Sequence, residues 1–567
     1  MMASPPSISI PFLSLLLIIA VCIVPRMTAF DPLFRYDNAT LELASQDYGL
    51  IVRDRPDSVF EPKYVRDIQF LIRQKYNRHD KNLSLRAHAH STRGQCQVLG
   101  GIVINMTSIK NTSRINIGHN NIGYYADVGG ELLWLDILKA TLKRNLAPVS
   151  WTDYLHASVG GTLSNGGISG QSFKHGPQIS NVYSLNAITG KGEMKTCTPT
   201  SNSDLFNAVL GGLGQFAVIT QARIRLDKAP TGATVTRLMY SDFQRFSDDQ
   251  EFLISSDLPN YVEGFVIVNN IIPSGWITSN SSVTLRDIDA LLKNYTVLYA
   301  IEFAMYYDNQ TSDTVHQKFQ MLVGKLTFIP NFSFTVEMSY FDFLYRVGDL
   351  DTIQQQYPQA HPWLVLFIPG SQKNDFNKYV LAGLLPQLGQ APTIPLFYPL
   401  NATKWSNKTS AVIPDEEIFY TLGLLHRSAV SHYKKFDRFN QKLLSICRKN
   451  GIICKKYLPY YDNQGHVGIP SQKDLRGHLM NNWLDVQNTL TWRKHGPNDK
   501  AKAKKCEEKP RSDNKRLSNG DSRAEDRCKV RYKYGQYTPL EKLQGRFLRF
   551  LKNEGMLASF HDELLSQ

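Results

Sequence analysis

The apolar positions of this chain change period several times, and each change marks a different element. Residues 64–76 (YVRDIQFLIRQKY) place Val65, Ile68, Leu71 and Ile72 on one face at helical spacing, which predicts an amphipathic helix. A short apolar run at Leu83 and Leu85 follows, and residues 101–106 (GIVINM) read as a buried strand. Residues 132–142 (LLWLDILKATL) return to helical spacing. From Trp151 to Gly176 the periodicity gives way to Gly, Ser, Thr and Asn, ordinarily the composition of a loop or linker. Ala217–Thr220 is strand-like. From Asp227 to about Lys456 an aromatic-rich alternation, as in 262–268 and 295–306, predicts a mixed second unit whose large rings can line a pocket. After Asn463 the aliphatic density falls. Leu540, Leu543, Phe547, Phe550 and Leu551 then predict an amphipathic terminal helix, packed or partner-binding.

The glycine-rich stretch has too much internal order for a linker. Residues 159–170 (VGGTLSNGGISG) alternate small residues with spaced apolar ones. Paired glycines let backbone amides approach a ligand, and the hydroxyls add donors, which suits an extended phosphate-bearing cofactor. The spacing is neither GxGxxG after a strand nor GxxxxGK[ST], so a dinucleotide Rossmann site and a P-loop are both unsupported. A second glycine unit, 210–216 (LGGLGQF), precedes the strand-like 217–220 run. Together they predict a cofactor-cradling domain ending near Leu226.

Composition narrows the class. With 567 residues, 42% of them hydrophobic, the chain is long enough for several domains and a large core. The net charge is +14, but residues 499–533 alone carry +6, so much of the excess is one local segment and not a nucleic-acid-binding groove. Residues 8–24 form an uncharged apolar run that suits a signal peptide, with Thr28 and Ala29 near a cleavage point. The first basic residue, Arg26, follows that run, and the competing reading is an uncleaved anchor. Ten Asn-x-Ser/Thr sequons, from Asn38 to Asn407, agree with passage through the secretory route. The seven cysteines show no CxxC spacing and suggest no metal site; a few disulfides of unknown connectivity are compatible with them.

Several motifs, taken in order, resemble the plant cytokinin dehydrogenases, FAD-linked oxidoreductases of the vanillyl-alcohol-oxidase type. These are Arg86-Ala87-His88-Ala89-His90-Ser91 with Gly94-Gln95, Ser150-Trp151-Thr152-Asp153-Tyr154-Leu155, Gly160-Gly161-Thr162-Leu163-Ser164-Asn165 and His175-Gly176-Pro177-Gln178. Later matches include Val262-Glu263-Gly264-Phe265, His361-Pro362-Trp363-Leu364 and Tyr457-Leu458-Pro459, so the resemblance spans roughly residues 40–463. It implies an α+β fold of two domains, a PCMH-type FAD-binding domain (30–226) and a cytokinin-binding domain (227–456). A signal peptide (1–29) precedes them; a divergent return to the FAD domain (457–498) and a basic extension (499–567) follow.

The resemblance also implies roles. FAD is joined covalently through His90, with Leu85, Ala87, His88 and Ala89 lining the attachment segment; His88 is the competing imidazole. Ser91 and Gln95 bind the pyrophosphate region, Asp153, Ser158, Ser164 and Ile168 line the flavin, and Ile219 contacts it through its backbone. Asp153 is the general base, Glu263 a substrate-side carboxylate, and Trp363 and Leu458 are pocket walls. Hydride passes to the flavin, and the resulting imine hydrolyses to adenine and an aldehyde; a quinone-type acceptor or oxygen then takes the electrons. A monomer is expected, with no nucleic acid and no membrane span after signal cleavage.

Two departures keep alternatives open. The family's glycines are replaced by Ala87 and Ala89, and an added Cβ crowds a close cofactor contact and disfavours positive φ. The family's closing Leu-x-x-Gly-Gln-x-Ile-Phe segment is not found; Trp483, Arg493-Lys494 and Pro497 resemble its approach only loosely. A flavin oxidase of another amine or alcohol, and an inactive cytokinin-binding glycoprotein, are the competing readings.

Overall fold

In a computed structural model, which describes residues 31–78, 82–109, 114–268, 285–389, 393 and 395–459, the two periodicities sort the chain into three sheets and their covering helices. Helix α1 (Val65–Arg78) buries the predicted face, Ile68, Leu71 and Ile72, against Phe60, Ile102 and Ile104. It crosses over a four-stranded sheet in which Ser58–Phe60, Ile102–Asn105 and β1 (Leu83–Arg86) run parallel. The attachment motif begins where β1 ends.

Helix α2 (Trp134–Leu142) packs on a six-stranded sheet whose centre is the long strand β2 (Ala217–Lys228). The Trp151–Gly176 stretch is not all loop. It holds a two-turn helix, α3 (Val159–Asn165), and a shorter one, Ser172–His175. Val159 and Leu163, four apart, point into the core. A Cβ on Gly160 would come within 3.0 Å of the Gly130 carbonyl, so glycine lets α3 lie directly on the sheet. Composition alone misreads this segment because its small residues serve close packing and not chain flexibility.

The remaining strands form an eight-stranded antiparallel sheet around β3 (Gly232–Tyr240), β4 (Tyr261–Ile267) and β5 (Leu298–Tyr307), with β5 between the other two. Side chains alternate across it. Val262, Val266, Ile301 and Phe303 face helices Phe243–Ser255 and Tyr433–Lys449, whereas Tyr261, Ala304, Ala233 and Val235 share one core with the six-stranded sheet. The two units therefore meet over a common apolar layer. The odd-numbered face of β4 is turned toward the glycine-rich segment.

Among the described residues, no helix is long and apolar enough to cross a membrane. Cys96 and Cys447 are buried thiols in no disulfide. The expected signal peptide, the return to the FAD domain beyond Pro459 and the terminal amphipathic helix lie outside the described residues.

Candidate active site

Strand parity builds the substrate side. Glu263 lies on the same face of β4 as Tyr261; in register it stands directly opposite Glu302 on β5, which stands opposite Arg237 on β3. Two acids in facing positions normally repel, at a cost of up to about 1 kcal/mol. Glu302 is neutralised, because Arg237 Nε donates to its Oε2 at 2.6 Å and Arg346 Nε lies 3.5 Å from its Oε1. Glu263 is not: it is 3% exposed and its Oε1 has no hydrogen-bond partner.

Asp153 enters from the other unit. Its loop is anchored by the neighbouring Trp151, whose indole is buried and donates to Tyr340 Oη at 3.2 Å on helix α4 (Tyr340–Leu344). Arg346, just after α4, lies over the Phe343 and Tyr261 rings, 4.6 and 4.8 Å from their centroids. It donates to Tyr261 Oη, and both Arg346 Nη2 and Tyr261 Oη stand 3.5 Å from Asp153 Oδ1. A Cβ on Gly170 would fall 2.5 Å from the Tyr261 ring, so the glycine-rich segment closes directly onto this strand.

The result is three carboxyls served by two guanidinium groups, Asp153 and Glu263 in hydrogen-bonding contact with each other. Two carboxyls in such contact must hold a proton between them. Burial pushes the Asp153 carboxyl above its usual range, against the opposing pull of Arg346 and the hydrogen bond from Glu263. Glu263 is pushed well above, first by burial and then by the Asp153 charge. Arg346 is held charged: burial opposes its charge, but Tyr261, Glu302 and Asp153 outweigh it. Asp153 keeps 30% of its side-chain surface open, so a ligand can reach the pair from that side. The pair is arranged to accept and share a proton from something seated there.

The flavin side is built differently. Ala89 has φ +57, the left-handed conformation that favours glycine, while Ala87 lies outside that region. Tyr48 N donates to Ala89 O at 2.8 Å and clamps the turn. His90 is sandwiched between Tyr48 and Tyr154, with ring centroids 4.8 and 4.7 Å away, and Tyr48 continues the stack to His361 and Trp363. His88 is exposed, whereas His90 is drawn in. Since Tyr154 follows Asp153, one loop serves both His90 and the carboxyl pair.

The other sequence candidates fall into three groups. Ser158 stands at the N-cap of α3 with no side-chain cap bond, Ile168 packs at the core edge, and Ile219 sits at a bulge in β2 with its carbonyl close to Gly130 and Gly160. Ser91 Oγ donates to Asp47 Oδ2 at 2.8 Å, Ser164 Oγ to Gly160 O at 2.7 Å, and exposed Gln95 accepts from Arg93 N at 2.9 Å, so these three side chains are already engaged within the chain. Leu85, within β1, packs against the core that holds Phe60 and Ile104, Trp363 Nε1 is buried without a partner, and Leu458 takes φ +47 just beyond Tyr457.

Beside α3, both amide atoms of buried Gln178 lack partners, and Tyr457 Oη accepts from Gly167 N at 3.0 Å. An uncapped helix start, an unpartnered amide and a glycine-lined floor fit an extended cofactor with polar atoms along its length. Tyr261, Glu302, Arg237 and Arg346 escaped the sequence reading. Two-residue parity along β4 pointed from Glu263 to Tyr261; nothing local marked Arg346.

Comparison with known proteins identifies the family. The family model described as "Cytokinin dehydrogenase 1, FAD and cytokinin binding" matches residues 230–487, and the FAD binding domain model matches residues 56–198. The chain is 40% identical over 470 residues to cytokinin dehydrogenase 4 of Arabidopsis thaliana, covering 78% of this chain and 89% of that protein. It is 39% identical over 478 residues to cytokinin dehydrogenase 4 of Oryza sativa subsp. japonica, covering 82% and 87%. Among solved structures, the xylooligosaccharide oxidase of Myceliophthora thermophila C1 aligns with a TM-score of 0.59 at 15% identity, over 82% of this chain and 98% of that one, a likeness of fold.

Proposed function

The chain belongs to the cytokinin dehydrogenase family and is an FAD-dependent oxidoreductase, and from that premise we propose how its residues divide the work of oxidising an isoprenoid cytokinin. The supporting observation is the meeting of Asp153 from the FAD unit with Glu263, Tyr261 and Arg346 from the substrate unit.

FAD, when bound, accepts the hydride released from the carbon attached to N6 of the adenine. The protein supplies the rest. Asp153 takes the N6 proton, its raised affinity for protons matching it to a weakly acidic amine. Glu263, protonated, donates to Asp153 and keeps the pair from carrying two charges; Arg346 and Tyr261 fix the Asp153 carboxyl in place. Trp363 and Leu458 wall the planar base and its prenyl tail. Water then hydrolyses the imine to adenine and an aldehyde, and a quinone-type acceptor or oxygen takes the electrons. His90 would carry the flavin covalently, and Ser158 at the α3 start would be among the residues that hold it.

We further propose passage through the secretory route to the apoplast or vacuole. The apolar run at residues 8–24 supports it, as does the absence of burial at any of the eight sequon asparagines among the described residues. Substrate profiling tests the activity. N6-isoprenoid adenines should yield adenine and the matching aldehyde in equal amounts. Faster oxidation of a primary alcohol or an unrelated amine would overturn the assignment.

A further inference from the structure

We infer that Asp351, in the substrate unit, positions His90 for its bond to the flavin; this rests on the reading of His90 as the attachment residue. Asp351 lies in the first turn of helix α5 (Leu350–Gln356), more than 250 residues from His90 in the chain. Its Oδ1 stands 2.7 Å from His90 Nε2. The two are out of line for a hydrogen bond from the ring, so the contact is that of a charge beside the Nε2 edge.

The surroundings hold that edge in place. Asp351 N donates to Tyr154 Oη at 3.2 Å, and the Tyr154 ring packs tilted against His90. Gln354, one turn along α5, donates to Tyr48 O at 3.1 Å, and Tyr48 stacks on the other side of the same imidazole. One short helix thus anchors both tyrosines, Tyr154 through its hydroxyl and Tyr48 through its backbone carbonyl, and brings a carboxylate to the histidine they flank. His156 Nδ1 stands 3.8 Å from the second Asp351 oxygen, and Asp349 caps the helix, so the carboxylate has two imidazoles near it and, among the described residues, no arginine ion pair.

A carboxylate at one imidazole nitrogen keeps the proton there and leaves the other nitrogen with its lone pair, more nucleophilic than in free histidine. With Nε2 facing Asp351, Nδ1 is the nitrogen left to bond carbon. The bond exchanges the imidazole N–H and one C–H of the flavin methyl group for a single C–N bond. The two hydrogens leave as two protons and two electrons, which pass through the flavin ring to a quinone or dioxygen acceptor. The imidazole proton departs on the Asp351 side.

The experiment follows attachment and not turnover. Apoprotein of the wild type, Asp351→Asn, Asp351→Glu and His90→Ala is mixed with FAD and an acceptor quinone. Flavin that survives denaturation is read by in-gel fluorescence over time, beside total bound flavin and thermal unfolding. Asp351→Asn should bind FAD but attach it at least tenfold more slowly, with Asp351→Glu recovering part of the rate. Asp351 is 32% open and Asp349 supplies the cap, so the change should leave the fold intact; Asp351→Ser serves if the Asn form does not fold. Attachment in the folded Asn or Ser variant within twofold of wild type would overturn the role of Asp351. Wild-type protein without flavin on the His90 peptide would instead overturn the attachment reading itself.

Discussion

The two halves of the site solve opposite problems. Around His90 the structure uses neutral rings: Tyr48, Tyr154, His361 and Trp363 pack together, and among the described residues one carboxylate, Asp351, approaches the imidazole. Burial drives the His361 imidazole down to about 3, with Arg427 and His90 adding to the effect, so that ring stays neutral within the stack. Around Asp153 the structure concentrates charge, three carboxyls against two guanidinium groups, with Glu263 and Glu302 buried. The first arrangement holds a group still. The second keeps a proton mobile, because carboxyls that cannot all ionise together must trade it. Rigidity is built from surface area and proton transfer from unresolved charge.

That contrast can be broken most forcefully at Asp153. Asp153→Asn keeps the shape but cannot take the proton, and turnover should fall by roughly 10²–10⁴-fold, with flavin content unchanged by absorbance. Retained turnover would remove the carboxyl pair from the chemistry.

Arg346 comes next. Arg346→Leu leaves Asp153 and Glu302 without its charge, and the loss of one partner from such a buried network costs about 3–5 kcal/mol. Chemical denaturation at neutral pH should show that loss, and it should shrink as pH falls and the orphaned carboxyls are protonated.

The pH dependence sharpens the comparison further. Asp153 and Glu263 start from ordinary values of 3.8 and 4.5 and are both raised in the folded protein. The folded state therefore binds more protons, and their contribution to stability is fully present below the ordinary values and lost as pH rises through the raised ones. Activity runs the other way, since the base must be free, so the rate climbs with pH across the same window. Glu263→Gln retains a donor toward Asp153 and should leave that acid limb nearly in place, whereas Glu263→Leu removes the donor and should move it to higher pH. A limb that moves equally in both variants would show that the contact with Glu263 does not tune Asp153.

The smallest effect belongs to the attachment turn. Ala89→Gly relieves a left-handed alanine and should stabilise the fold by about 1 kcal/mol, whereas Ala87→Gly, outside that region, should give no gain in thermal unfolding.

Legibility follows the same division. The attachment segment lies within residues 85–95, and its odd feature, alanine where glycine belongs, was visible in the letters before φ +57 gave it a physical meaning. Helix α1 and strands β1, β4 and β5 also follow from periodicity, because each buries a face whose spacing is local. The carboxyl pocket does not. Arg346 reaches Asp153 across 193 positions, and Glu302 meets Glu263 only through the register of β4 with β5. Asp351 lies in a short polar helix that buries none of its residues, so nothing in its pattern points to His90. Helix α3 was hidden for a different reason: glycine and serine have poor helix propensity, and contact with the sheet overrides it.

The most direct measurement is rapid mixing, without oxygen, of the flavin-loaded protein with an N6-isopentenyl adenine, following the loss of flavin absorbance across pH for wild type and Asp153→Asn. The account predicts complete bleaching in the wild type, faster as pH rises through the raised carboxyl range, and a rate at least 100-fold lower in the variant, with no pH dependence in that range. Equal rates and equal pH profiles in the two proteins would contradict it.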